Sequence, residues 1–256
     1  MKPQITVVTI TYNAAAVLQR TLDSVLAQSY PYVEHLIVDG ASKDETLVMA
    51  EQYREESLEK AAAHEVKVIS EPDRGIYDAM NKGLREATGD FLVFLNAGDT
   101  LPSTDTLELV MDKADDGVGV LYGNTDIVDG DGNFLYHRRL QPPERLTWRS
   151  FRQGMVVCHQ AFYARTEIAK AQIYDLHYRF SADVDWCIRV MKETEHRQMT
   201  LVNLHAVVAN YLEEGATTKN HKASLRERYL VMQKHYGVVS TFLMHCWFVV
   251  RALIQR

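Results

Sequence analysis

Cysteine is scarce in this chain: 256 residues hold three, Cys158, Cys187 and Cys246, far apart and with no CxxC pair. An odd, scattered set makes neither a disulfide framework nor a zinc site, and a reducing compartment is expected. Long apolar runs are missing as well. The stretch Val238–Val250 is interrupted by Ser240, Thr241 and His245 and closed by Arg251, short of the roughly 20 residues that span a bilayer. No GxGxxG or Walker A pattern occurs, which removes the dinucleotide and P-loop classes. There is no low-complexity tract and no evident repeat. Met-Lys-Pro-Gln at the start runs into a β-like stretch without signal-peptide shape, so a cytoplasmic protein is expected. A positive balance is also lacking, the net charge being −6. It is unevenly spread: from Lys219 onward seven Lys/Arg stand against the single acid Glu227, which leaves about −12 for residues 1–218. A binder of nucleic acid is not expected from that balance.

What is present suits a soluble core of ordinary size, 46% hydrophobic and 24% charged. The first half alternates strand and helix patterns. Ile5–Ile10 is β-branched, and Asn13 is placed to cap a helix whose Leu18, Leu22, Val25 and Leu26 share a face. Glu34–Val38 predicts a second strand, and Ser42-Lys-Asp-Glu45 a capping box that opens a helix to about Ala63. Val66–Ser70 predicts a third strand, followed by a helix over Gly75–Thr88 with Tyr77, Met80, Leu84 and Ala87 inward. The apolar run Phe91–Leu95 reads as a strand buried on both faces, delivering Asp99 just beyond its end. Four βα units imply an α/β fold with a parallel, doubly wound sheet, and the loops after its strands must gather along one edge, where such sheets bind ligands. A carboxylate there suits Mg²⁺ or Mn²⁺ carried with phosphates, since these cations keep waters and need few protein oxygens.

Beyond Asp99 the order changes. Ser103–Lys113 predicts a helix and Gly119–Asn124 a short strand, with a hairpin over Asp126–Tyr136. Its turn, Asp129–Asn133, has a superficial likeness to a calcium loop, but Phe134 stands where the glycine belongs and the closing Glu is missing. The rest mixes basic and aromatic residues and reads as a less regular half.

Four segments stand in order at the ends of successive strands: Thr9-Ile-Thr-Tyr-Asn13, Val38-Asp-Gly-Ala-Ser-Lys-Asp-Glu-Thr46, Ser70–Gly83 (with Glu-Pro-Asp-Arg-Gly-Ile-Tyr-Asp-Ala-Met-Asn-Lys inside it) and Phe94-Leu-Asn-Ala-Gly-Asp99. Together they resemble family 2 glycosyltransferases, closest to bacterial enzymes of exopolysaccharide, colanic-acid-type and O-antigen assembly. The likeness is strong over residues 4–99 and reaches to about 218. It implies a single large GT-A (Rossmann-like) domain over 1–218, with a nucleotide-sugar half at 1–125, an acceptor and catalytic-base half at 126–218, and a helical tail at 219–256.

By position, the resemblance assigns Thr11, Asn13, Asp39, Asp73, Arg74, Asn81 and Lys82 to the nucleotide-sugar donor, with a UDP-sugar favoured by family frequency. A carboxylate such as Asp39 only accepts hydrogen bonds, which suits a base N–H or ribose hydroxyls, and Arg is a natural phosphate fork. Asp99 corresponds to the last acid of the family's DXD signature, while Asn96 and Gly98 stand where many members have acids. Asp99 would hold the metal, with His221 as a further ligand. Ser181-Ala-Asp-Val-Asp-Trp-Cys-Ile-Arg189 resembles the segment that carries the catalytic base; aligned on Arg189, the base is Asp183 and the runner-up Asp185, with Ala182 replacing the first acid. Cys158-His-Gln160 resembles an acceptor-side segment, which places His159, Gln160 and Trp186 near the acceptor. Glu213–Thr218 resembles the loop that closes over the donor.

The implied reaction is inverting transfer of a sugar to a saccharide hydroxyl, on a lipid-linked acceptor at the inner face of the membrane. Two rivals remain open: a sugar-nucleotide pyrophosphorylase, disfavoured because Thr9–Ala16 has no Gly or Lys, and a nucleotide-binding pseudo-transferase, suggested by Asn96, Gly98 and Ala182. In the tail, Leu243, Trp247, Val250 and Ile254 share a helical face. That face could rest on a membrane surface, on the domain or on a second copy in a homodimer.

Overall fold

The computed structural model describes residues 2–59, 64–213 and 221–254. Within them the first half is built as the pattern predicts: β1 (Ile5–Thr11), α1 (Ala15–Leu26), β2 (Val33–Asp39), α2 (Thr46–Leu58), β3 (Glu65–Ser70), α3 (Ile76–Glu86) and β4 (Phe91–Phe94). Every residue of β1, β2 and β4 is buried, which is why these strands read as continuous apolar runs rather than alternating ones. The predicted extension of α2 to Ala63 lies outside the described residues.

Two local expectations fail in an instructive way. Asn13 does not cap α1: it sits at φ +48° and its side-chain oxygen accepts from the Lys43 N–H at 2.9 Å. Nor does Ser42–Glu45 form a capping box for α2, whose first turn has no such side-chain bond. The loop addresses both helices: Asp44 Oδ1 accepts from the Thr46 N–H that opens α2 at 3.0 Å, and the same loop caps α1. The N–H groups of Asn13, Ala14 and Ala15 donate to Ser42 Oγ (2.8 Å), Thr46 Oγ1 (2.8 Å) and Asp44 Oδ2 (3.1 Å). The orphan donors of one helix are thus satisfied by the loop that opens the next, which fixes the first two strand-end loops to each other.

The second half comprises α4 (Thr106–Met111), β5 (Val118–Val128), β6 (Phe134–His137), two 3₁₀ turns (Trp148–Gln153 and His159–Ala161), β7 (Phe162–Arg165), α5 (Thr166–Lys170), α6 (Ala182–His196) and β8 (Thr200–Leu212). Two helices follow, α7 (His221–Tyr236) and α8 (Val238–Ile254). Among the described residues one sheet runs β3-β2-β1-β4-β7-β5-β6, with β8 also paired to β5. The β3-β2-β1-β4 part is parallel, as expected; β7 is antiparallel to both β4 and β5. β8 is parallel to β5 with three register shifts, and the sequence reading did not contain it. The hairpin turn at Asp129 carries a cation of a different kind: the Arg20 guanidinium donates to the carbonyls of Asp129 and Gly130 at 2.9 and 3.0 Å.

The expected tail divides in two. α7 belongs to the main core, where Val231 and Met232 are fully buried with Trp186, Phe151 and Tyr174. Among the described residues no helix is long and apolar enough to cross a membrane.

Candidate functional site

The sheet sets out the site through register. Thr11, Asp39 and Ser70 are direct cross-strand partners at the C-terminal ends of β1, β2 and β3. Asp39, in the middle, accepts from Thr11 Oγ1 (3.1 Å), Ser70 Oγ (2.7 Å), and Ser42 through both its N–H (3.0 Å) and its hydroxyl (2.5 Å). Burial alone would push this carboxyl up, but these hydrogen bonds outweigh it and hold it below the ordinary range. Asp39 is therefore a fixed, ionised acceptor in the row of strand ends.

Asp73 stands against the same loop. A Cβ at Gly40 would lie 2.5 Å from Asp73 Oδ2, so any larger residue there would displace the Asp73 carboxylate. The other Asp73 oxygen accepts from the Gly75 N–H at 2.8 Å, opening α3. Lys82 braces this loop from below, donating to the carbonyl of Pro72 at 2.7 Å and pairing with Glu71 at 3.0 Å. Arg74 is the most exposed of the assigned donor residues in this segment, its side chain 79% accessible and paired with Asp78 at 3.3 Å. Asn81 is different: its amide donates to the Tyr174 carbonyl (3.0 Å) and accepts from the Tyr174 N–H (2.7 Å). Both ends of that side chain are engaged in joining α3 to the second half, so the structure gives Asn81 a bracing role.

Asp99 is 4% exposed and its two oxygens are addressed separately, by Gln160 Nε2 (2.7 Å) and by the Leu212 N–H at the end of β8 (3.0 Å). Burial pushes its carboxyl up to about 7, against the pull of those donors. Gly98 makes the approach possible: it sits at φ +99°, and a Cβ there would meet the Leu212 side chain at 2.8 Å. In the same turn Asn96 Oδ1 is buried with no hydrogen-bond partner. Among the described residues no three His, Cys, Asp or Glu side chains gather as a metal site. The donor set of Asp99 and the orphaned Asn96 oxygen fits a divalent cation that takes most of its ligands from phosphates and water. His221 opens α7, and its side chain lies outside the described residues.

The two candidate bases separate cleanly. Asp183 is half-buried in the first turn of α6 and accepts from the Tyr77 hydroxyl at 3.1 Å. Burial, followed by the Asp183 charge, keeps the Tyr77 phenol well above its ordinary range, so it remains a donor. Asp185, fully buried, pairs with Arg189 Nε (2.7 Å), His235 Nε2 (2.8 Å) and Lys234 Nζ (3.0 Å). Its oxygens are committed to an ion network between α6 and α7, and the runner-up assignment does not survive that geometry.

Tyr77 also lines a cleft of about 500 Å³, with Arg74 to Asp78 on one side and Leu176, Tyr178, Arg179 and Phe180 on the other. Two guanidinium groups, Arg74 and Arg179, border it. Glu227 of α7 holds the second wall by accepting from the N–H groups of Arg179 (2.9 Å) and Phe180 (2.7 Å). The sequence reading missed Arg179 and Glu227 and took Tyr77 as a core position only; no local pattern distinguishes them.

The three acceptor-side assignments are corrected. Trp186 is fully buried and stacks on Tyr174 (centroids 5.1 Å, 16°). His159, 4% exposed, stacks on Phe94 and shares a 2.6 Å hydrogen bond with the Tyr174 hydroxyl. Burial drives its imidazole down to about 4, so it is neutral near pH 7. Gln160 braces Asp99. All three build the floor beneath the site rather than the acceptor wall.

Residues 6–171 match the family described as glycosyl transferase family 2. The PGL/p-HBAD biosynthesis glycosyltransferase of Mycobacterium tuberculosis is 34% identical over 216 residues, which cover 83% of this chain and 78% of that protein. Two solved structures share the fold. Staphylococcus aureus TarS in complex with UDP-GlcNAc superposes with a TM-score of 0.69 at 18% identity, covering 90% of this chain and 66% of that one, just under two thirds of its length. The mannosyltransferase PcManGT of Pyrobaculum calidifontis, in complex with GDP-Man and Mn²⁺, gives 0.65 at 19% identity over 96% and 69% of the two chains. The extent of the family match, together with the strand-end carboxylates, gives the identity: this chain belongs to glycosyl transferase family 2 and is a glycosyltransferase of the GT-A fold.

Proposed function

We propose that the chain is an inverting transferase that moves a sugar from a nucleoside diphosphate, with a UDP-sugar favoured, to a hydroxyl of a lipid-linked saccharide in cell-surface polysaccharide synthesis at the inner face of a membrane. The observation that carries this reading is Asp183, half-buried and accepting a hydrogen bond from Tyr77, whose ring lines a cleft bordered by Arg74 and Arg179. Asp39 supplies an acceptor for the base or ribose, beside Thr11, Asn13 and Asp73. Arg74 and Arg179 offer forked donors to the diphosphate. Asp183 takes the proton of the acceptor hydroxyl as its oxygen attacks the anomeric carbon in line; one displacement inverts that centre. Asp99, with the Asn96 oxygen, would hold Mg²⁺ or Mn²⁺, whose chemistry is to offset charge on the departing diphosphate.

Thermal denaturation with UDP, GDP and dTDP, each with Mn²⁺ or EDTA, tests the donor side. A nucleotide at about a hundred times its Kd adds about 2.7 kcal/mol, an upward shift of several degrees. The expected result is stabilisation by UDP with Mn²⁺, lost in Asp99→Ala. Because the Asp99 carboxyl is pushed up to about 7, a proton competes with the cation below that pH, so the Mn²⁺-dependent part should weaken about tenfold in apparent affinity per pH unit below 7. No response to any nucleotide would overturn the donor assignment, whereas stabilisation by nucleotide without turnover would favour the pseudo-transferase.

Tyr77→Phe tests the acceptor side. It keeps the ring stacked on Tyr174, 5.6 Å between centroids, and removes only the hydroxyl that steadies Asp183. A hydrogen bond of about 0.5–1.5 kcal/mol lost at the base predicts kcat lower by about 3- to 10-fold, with KM for the donor unchanged.

A further inference from the structure

The last helix is mounted the wrong way out for a protein surrounded by water. α8 turns Thr241, Met244, His245 and Phe248 toward the domain: Thr241 is fully buried, and His245 packs edge-on against Tyr229 at 4.8 Å. The opposite face carries Val238, Val239, Phe242, Leu243, Trp247 and Val250, each 44% to 73% exposed. Cys246 is exposed as well, so every exposed position described on α8 is apolar. A surface helix normally shows the reverse, with its polar side outward, and a contiguous exposed apolar face of this size marks an interaction surface.

Charge says what covers it. Seven Lys/Arg against one acid occupy residues 219–256, in a chain that is otherwise acidic. At the root of α8 a cationic aromatic belt continues the same surface. Arg149 and Lys192 lie over the Trp148 ring at 4.3 and 4.4 Å, and Trp148 stacks on Tyr236 at 5.6 Å. Arg152 lies over Tyr236 and lines an open groove of about 630 Å³ shared with Val238, Val239 and Leu243. Aromatic rings beside Lys and Arg suit the headgroup level of a bilayer, and basic side chains are drawn to anionic lipid. A second copy of the chain would bring two such cationic segments together, which opposes self-association through this face. The helix has 17 residues, about 25 Å at 1.5 Å per residue, short for a span but suited to lying in the interface plane.

We infer that α8 is an in-plane docking helix that seats the enzyme on an anionic bilayer through Val239, Phe242, Leu243, Trp247 and Val250. The seat also adjoins the cleft. Lys234, four residues before α8 begins at Val238, lies 5.6 Å over the ring of Tyr178 on the cleft wall. An acceptor anchored in that bilayer therefore presents its headgroup at the cleft; this last step alone rests on the function proposed above.

The test is sedimentation of the full chain with vesicles of phosphatidylcholine, with and without about 30% phosphatidylglycerol, at ~0.1 and ~0.5 M salt. Wild type is expected to bind the anionic vesicles, less so at high salt. Leu243→Ser with Trp247→Ser should weaken binding by tenfold or more, while Leu58→Ser, an exposed leucine on α2, leaves it unchanged. Failure of wild type to bind would overturn the inference. So would a concentration-dependent dimer abolished by the same double substitution, which would give the face to a second copy. The thermal response to UDP and Mn²⁺ is measured on the same samples. Vesicle binding without any nucleotide response sustains the docking helix and removes the proposed donor assignment.

Discussion

Asp183→Asn is expected to lower kcat by about 10³-fold while leaving donor binding as it was, because a positioned general base contributes about 10²–10⁴. The substitution is close to isosteric, and the Asn carbonyl still accepts from the Tyr77 hydroxyl 3.1 Å away, so neither the cleft nor the fold should shift. What is lost is the ability to take a proton. Single-turnover kinetics with a saccharide acceptor, alongside nucleotide-induced thermal stabilisation, measures both halves. Unchanged turnover would remove Asp183 from the chemistry. Loss of nucleotide binding together with turnover would show that the α6 N-terminus shapes the donor pocket and that its carboxylate is not acting as base alone.

How much of this was legible in the sequence follows from how local each determinant is. The βα period, the buried strands and the strand-end row of Thr11 and Asp39 depend on neighbours within one or two elements. Periodicity reads them directly. The Ser42–Glu45 pattern was visible too, but it serves α1 across the loop as well as the start of its own helix, where Asp44 takes the Thr46 N–H, a choice made by tertiary packing. β8 was not legible, because its partner β5 is some 80 residues away in sequence and its run includes polar His205 and Asn210. Without β8 the Leu212 N–H on Asp99 could not be anticipated, nor could the burial that shifts that carboxyl. His159, Gln160 and Trp186 were assigned to the acceptor side, and the structure buries all three. Apolar and aromatic residues beneath a site share its sequence neighbourhood, and only packing separates floor from wall.

The choice between Asp183 and Asp185 has the same origin. Two positions on a helix differ by about 200°, so one acid turns to Tyr77 and the other to α7, and the sequence does not say which. The consequence is the second large effect. Asp185→Asn should cost about 3–5 kcal/mol, lowering Tm on the order of 10 °C, since removing one partner of a buried ion network leaves the others uncompensated. Here the stranded groups would be Arg189, Lys234 and His235. Burial alone would raise the Asp185 carboxyl, yet the hydrogen bonds from His235 and Arg189 hold it far below its ordinary range. A depressed folded-state pKa gives stability that is present above the unfolded value near 4 and is lost as pH falls toward the folded value. Wild type should therefore lose this contribution below about pH 4, and the variant, lacking it already, should show a flatter acid limb in denaturant titrations. Because the network ties α6 to α7, and Glu227 of α7 holds the cleft wall, the variant's residual activity should fall with temperature well before wild type's. At low temperature its kcat should approach wild type's. A loss of kcat at low temperature, with the fold intact, would return Asp185 to the chemistry.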